Sequence, residues 1–285
     1  MSAPERSLYG ILTHTPGTAI GAALLAAHLL VALAAPWLSP YAPTDLVGVP
    51  MQPPGSPGFL LGTDVLGRDC LTRLLAGGRT SMTVAMLGAL GAVLAGVIIG
   101  VSAAYLGGFY DDVVMRIVDT KLAIPGILFV AIFVVGFGRS LPVLTLVIGL
   151  TYLPGAIRIL RAQAMTIVPL GYVRAAQLRG ESTLRVVVSE LVPNVMEVAV
   201  VELAIRTSSA VLAVSALSFL GLGISPPTPD WGLMIAEGVA QIYAAPWLVA
   251  LPAVFISTLV IGLNFAADGL ASALGLDAAR GIERG

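Results

Sequence analysis

A chain of 285 residues that is 57% hydrophobic and only 11% charged, with a mean hydropathy of +0.95, is far from the roughly 25% charge of soluble domains, so water is not its main solvent. A net charge of −1 with no lysine- or arginine-rich block excludes a nucleic-acid surface. The single cysteine, Cys70, excludes an internal disulfide, and no Cys/His cluster has metal-ligand spacing.

Apolar runs near 17–38, 81–106, 113–136, 141–163, 195–222 and 247–273 are each long enough to cross about 30 Å of hydrocarbon as a helix. The expected fold is therefore all-α, a polytopic membrane protein with six transmembrane helices. The first run follows Arg6 and exceeds a signal-peptide core, which makes it a retained helix. After it, residues 39–80 form an extramembrane segment that opens with prolines. Its later part, Asp64 to Leu75, has the apolar spacing of a short amphipathic helix lying on the membrane surface. Asp64, Arg68, Asp69 and Arg73 alternate in sign at helical spacing, as a solvated face or as contacts for an external partner.

Between the fourth and fifth runs, a charged segment from Arg161 to Pro193 is bracketed by Pro169 and Pro193. Its stretch from Gly171 to Gly180, followed by Val188 to Asn194, predicts two short helices around a glycine turn. The knob is compact: Ala175 and Ala176 allow another protein to come close, Gly180 permits a left-handed turn, and Pro193 starts the next helix. The fifth run carries Glu197, Glu202 and Arg206, where ionisable groups are expensive and mark either a translocation path or a mutually neutralising i,i+4 pair. Ser208 and Ser209, with Thr207, Ser215 and Ser218, either offer hydroxyls to a solute or allow close helix packing. Asp230 and Trp231 follow Pro226, Pro227 and Pro229 in the second outer loop, as contacts for an external partner, as a gate at the outer mouth or, for Trp231, as an interfacial anchor.

Six crossings put both termini on one side. Placing them in the cytoplasm assigns ten basic residues there, including Arg6, Arg116, Lys121, Arg158, Arg161, Arg280 and Arg284, against Arg68, Arg73, Arg79 and Arg139 outside. The resulting organisation is residues 1–80 as N-terminus, first helix and outer segment; 81–273 as the transmembrane core with an inner loop at 166–194; and 274–285 as a cytoplasmic tail.

The run Arg174-Ala175-Ala176, then Gly180 and Pro193, resembles the cytoplasmic Glu-Ala-Ala loop of ABC importer permeases, with Arg174 at the usual glutamate. Leu60 to Asp69, Gly78 to Ser81, Tyr105 to Gly108 with Asp111, and Pro226 to Gly232 are similar to signatures of the dipeptide and oligopeptide permease C-type subunits. The resemblance covers nearly the whole chain. It implies a type I importer permease fold in a prokaryotic inner membrane, a second permease, two ATP-binding subunits that hold ATP and Mg, and an extracytoplasmic solute-binding protein. It implies no cofactor and no catalytic site on this chain, with residues 174–193 coupling to the ATPases and di- or oligopeptides as cargo. A nickel chelate, glutathione or another small solute is the alternative cargo. A self-contained secondary transporter using Glu197, Glu202 and Arg206 as a relay is the competing class, disfavoured by the lack of an evident inverted repeat. An enzyme is weaker still, since His14 and His28 lie near and within the first run with no partner legible.

Overall fold

The computed structural model describes residues 16–275, so Arg6, His14, Arg280, Arg284 and most of the expected tail lie outside the described residues. Helix α1 covers Pro16–Leu38 and is followed by the turns of residues 39–69. α2 is Cys70–Leu106, α3 Gly108–Leu122, α4 Gly126–Phe137 and α5 Leu141–Ile167. Two short helices follow, α6 Gly171–Leu178 and α7 Thr183–Val186, then a π-helical turn at Val187–Leu191 that leads into α8, Val192–Phe219. α9 is Trp231–Gly238 and α10 Trp247–Ala273.

Five of the expected crossings are single long apolar helices: α1, α2, α5, the continuous rod from α7 through α8, and α10. The sixth, expected at 113–136, is broken, with α3 and α4 meeting at 86°. Pro125 accounts for the break, because it has no N–H for the carbonyl of Lys121 and biases Ile124 away from helical geometry. α3 carries Asp111, Asp112, Arg116, Asp119 and Lys121, too much charge for hydrocarbon alone. The twelve residues of α4 reach about 18 Å, short of a bilayer core.

Small residues set the packing, as expected where lipid removes any hydrophobic drive between helices. On α2, Gly88, Gly96 and Gly100 lie against Ile148, Ala156 and Ile157 of α5, and a Cβ at Gly100 would sit 2.8 Å from the Ile157 carbonyl oxygen. Residue numbers rise together along both helices, so α2 and α5 run parallel. The chain between them must therefore return to its starting side, which makes α3 and α4 together one crossing. Their contacts descend α5 in the opposite sense: Asp111 pairs with Arg161, Asp119 with Arg158, and Lys121 Nζ donates to the Thr151 carbonyl at 2.7 Å. Lys121 thus reaches the middle of α5, not the helix end where the charge count places it.

α1 packs antiparallel on α10, with Thr18 against Gly269 and Gly21 against Phe265. α8 packs antiparallel on α5, where Tyr152 donates its hydroxyl proton to the Ser209 carbonyl at 2.9 Å. Residues 39–69 and 220–246 consequently share one end of the bundle, the lobe end. Residues 168–191 project from the other, the knob end. Because α2 starts at Cys70, the division expected at residue 80 falls inside a helix.

Candidate functional site

At the lobe end the expected surface helix is absent. Gly62 and Gly67 adopt φ of +77° and +82°, and a Cβ at either would come within 2.2 Å of a backbone oxygen, of Gln52 and Gly48 respectively. Such residues turn the chain and cannot continue a helix. Asp64 Oδ1 accepts the backbone N–H of Leu66 at 2.8 Å and of Arg68 at 3.0 Å, closing a turn. Asp69 caps α2 by accepting the Thr72 N–H at 2.8 Å. Helix formation therefore begins only at Cys70.

The charges expected on a solvated face are buried. Arg68 Nε and Arg73 Nη1 both donate to Asp64 Oδ2, at 2.6 and 2.8 Å. The same two guanidiniums reach Glu237 Oε2 on α9, at 2.9 and 2.7 Å. Arg73 is 1% exposed. Two cations and two carboxylates balance, which is what permits their burial. Burial pushes the Glu237 carboxyl above its ordinary value, against the pull of Arg68. This cluster bolts the first outer segment to the second.

Asp230 and Trp231 are interior as well. Asp230 Oδ1 accepts the Gly232 and Leu233 N–H groups at 2.9 and 3.2 Å, capping α9. Burial pushes the carboxyl up to about 6, despite those two donors and the nearby Ser218 hydroxyl. Trp231, 1% exposed, lies on Gly78 of α2, and its indole N–H donates to the Leu74 carbonyl at 3.0 Å. It is no interfacial anchor. Asp64, Arg68, Asp69, Asp230 and Trp231, expected as binding-protein contacts, therefore form the frame beneath the outer surface and present no exposed face. Sequence reasoning missed Glu237; the signal was a lone acid in an otherwise apolar helix.

The knob matches its expected shape in its first half. α6 ends before Gly180, whose φ is +75°, and Arg179 and Arg185 both pair with Glu181. Ala176 is buried with Val173, Val186 and Leu191, fastening the knob to the ends of α2 and α5. Arg174, Ala175, Gly180 and Pro193 are exposed, as are Leu178 at 90% and Leu184 at 74%. The second helix is not separate. α7 continues through the π turn, where the Val192 N–H bonds to Val187 O, into the membrane-crossing rod. Pro193 is exposed near the first turn of α8, within that rod.

Of the expected path residues, Glu202 is 3% exposed and receives the Arg206 guanidinium at 2.5 Å, which itself lies over Gly155 of α5. Ser208 Oγ accepts the Asn264 amide of α10 at 3.0 Å, and Ser209 offers its carbonyl to Tyr152. Arg206, Ser208 and Ser209 join α8 to its neighbours, and Glu202 holds Arg206 in place. A groove of about 1100 Å³ lies between α2 and α5, and none of the four lines it. Its walls are Arg79, Thr83 and Gly91 on one side and Thr145 and Gly149 on the other, with Pro43 and Pro229 of the lobe at its mouth.

A multi-pass bundle with an ordered lobe at one end, an exposed apolar knob at the other and a groove along its side has the build of a membrane permease subunit. The family model for the binding-protein-dependent transport system inner membrane component matches residues 92–276, and the chain belongs to that family, with its type I permease fold. It is similar to the "Di/tripeptide transport system permease protein DppC" of Pseudomonas aeruginosa, 35% identical over 95% of this chain and 91% of the relative. The "Dipeptide transport system permease protein DppC" of Escherichia coli K12 is 34% identical over 95% and 92%. The "Oligopeptide transport system permease protein OppC" of Haemophilus influenzae is 33% identical over 88% and 81%. The chain is thus a multi-pass membrane transport component.

Proposed function

We propose that this permease pairs with a second permease to form the path by which di- or oligopeptides, delivered by a solute-binding protein at the lobe end, enter the cytoplasm. The ATP and Mg belong to two ATPase subunits that dock on residues 171–193 at the knob end. The observation that carries the docking is the exposure of Leu178 and Leu184 beside Gly180, an apolar tip with no use in water and too charged a neighbourhood for lipid. Peptide as cargo follows the names of the near-full-length relatives.

Charge supports the knob end as cytoplasmic. Arg174, Arg179 and Arg185 stand in the knob, with Arg158 and Arg161 close by on α5. At the lobe end stand Arg68, Arg73, Arg79 and Arg139, fewer than at the knob end.

The test uses the assembled importer in proteoliposomes. Gly180→Trp places a bulky side chain at a positive-φ position and should leave the subunits associated while peptide uptake falls at least about tenfold and ATPase activity loses its dependence on loaded binding protein. Normal uptake by this variant would refute the docking role. Purification of the tagged chain without ATPase subunits, still active, would refute the importer reading altogether.

A further inference from the structure

We propose that Arg79, with the hydroxyls of Thr83 on α2 and Thr145 on α5, is the subsite that receives the C-terminal carboxylate of a peptide in transit. The proposal rests on the peptide-import reading above.

Arg79 lines the groove near its mouth, about 14 Å along α2 from Cys70. Of the other arginines in the crossings, Arg116 and Arg185 lie away from the groove and four are occupied. Arg73 is held by Asp64 and Glu237, Arg158 by Asp119, Arg161 by Asp111 and Arg206 by Glu202. Arg79 is exposed and, among the described residues, has neither an ion pair nor a side-chain hydrogen bond. No acidic residue lines the groove. A guanidinium left unpaired on a largely apolar wall is open to an anion arriving at the groove's mouth. Its planar fork suits a carboxylate held by two hydrogen bonds.

The hydroxyls extend the polar patch. Thr83 follows Arg79 by one turn on the same face and, among the described residues, spends its hydroxyl on no neighbour, leaving a donor for a carboxylate oxygen. Thr145 gives its proton to the Leu141 carbonyl at 2.9 Å and so turns lone pairs toward the groove, where a peptide N–H can be accepted. Deeper in, Gly91, Ala92, Ala95 and Gly149 replace side chains with space. The groove therefore grips what all peptides share, the terminal carboxylate, and leaves room for the side chains in which they differ. Charge complementarity favours this occupant. The competing one is an acidic side chain of the second permease.

The complete importer, reconstituted in proteoliposomes, is given a dipeptide and the same dipeptide as its C-terminal amide, both saturating the binding protein. Wild type, Arg79→Lys and Arg79→Gln are compared, and the second permease that co-purifies with each is quantified. Arg79→Gln should lower free-acid uptake about 10- to 100-fold and amide uptake by no more than about twofold, the difference being the worth of a charge-assisted hydrogen bond, with Arg79→Lys between. Assembly should be unchanged. Equal loss of both substrates, or loss of neither, overturns the subsite. Release of the second permease by Arg79→Gln overturns it too and assigns the arginine to the subunit interface. A wild-type importer that carries another solute and neither peptide form overturns the peptide reading itself, which separates the two failures.

Discussion

Glu237→Gln keeps the shape of the side chain and removes the charge that two buried guanidiniums share. In the native lobe, Glu237 Oε2 takes one hydrogen bond from Arg68 and one from Arg73, and Asp64 alone would remain to balance both. Breaking a buried ion pair from one side costs about 3–5 kcal/mol. The Glu237 side chain is 26% exposed, so water screens part of the loss and about 2–4 kcal/mol is expected. That raises the opening of the lobe about 30- to 700-fold at 1.4 kcal/mol per decade. Hydrogen exchange on the purified complex reads it directly. The N–H groups of Val47 and Met51, bonded to the Gly67 and Asp64 carbonyls, should exchange faster, while amides in the middle of α5 should not. Arg73→Met in the same chain should cost less than the sum of the single variants, because the two residues interact. Unchanged exchange at Val47 and Met51, or strict additivity, would refute the bolt.

Three further outcomes are expected. Gly62→Ala, at φ +77° with a Cβ directed into the Gln52 carbonyl, should destabilise the solubilised protein by more than the roughly 1–2 kcal/mol of the backbone strain alone, read as a lower thermal midpoint, whereas Gly171→Ala, which meets no atom within 4 Å, should not. The Asp230 carboxyl is held above its unfolded value, at about 6, so the folded state binds its proton more tightly and stability rises as pH falls through 6 towards 4, by about 2–3 kcal/mol; thermal midpoints should be higher at pH 5 than at pH 7.5, with the slope reduced in Asp230→Asn. Glu202→Gln and Arg206→Gln should each lower the thermal midpoint more than the double variant does, since each leaves a buried charge alone; a double variant that simply adds the two losses would remove the pairing argument.

The crossings at α1, α5, α8 and α10 were legible because apolar runs of about twenty residues have few other uses. The knob was legible because Gly180 and the flanking prolines punctuate a charged stretch. The broken crossing was hidden by averaging, since the very apolar α4 masks the charges of α3 in any window that spans both. The lobe misled for a different reason. Asp64, Arg68 and Arg73 sit at helical spacing, yet the partner that lets them be buried, Glu237, is 164 residues beyond Arg73. Glycines that force the turn at Gly62 and Gly67 looked like ordinary loop residues, because the carbonyls they make room for belong to Gln52 and Gly48. The place of Arg79 beside Thr145 shows only when α5 is laid parallel to α2.

The rod from Thr183 to Phe219 runs for 37 residues, about 55 Å, with its first turn in the knob and its last under the lobe. A helix of that length acts as a lever arm. Pivoting it by about ten degrees displaces the far tip by about 10 Å, more than the gap a side chain fills. That tip is where Gly232 presses on the Ser215 backbone and Ile224 donates to Ser218, so any such pivot would act on the very contacts that seat the lobe.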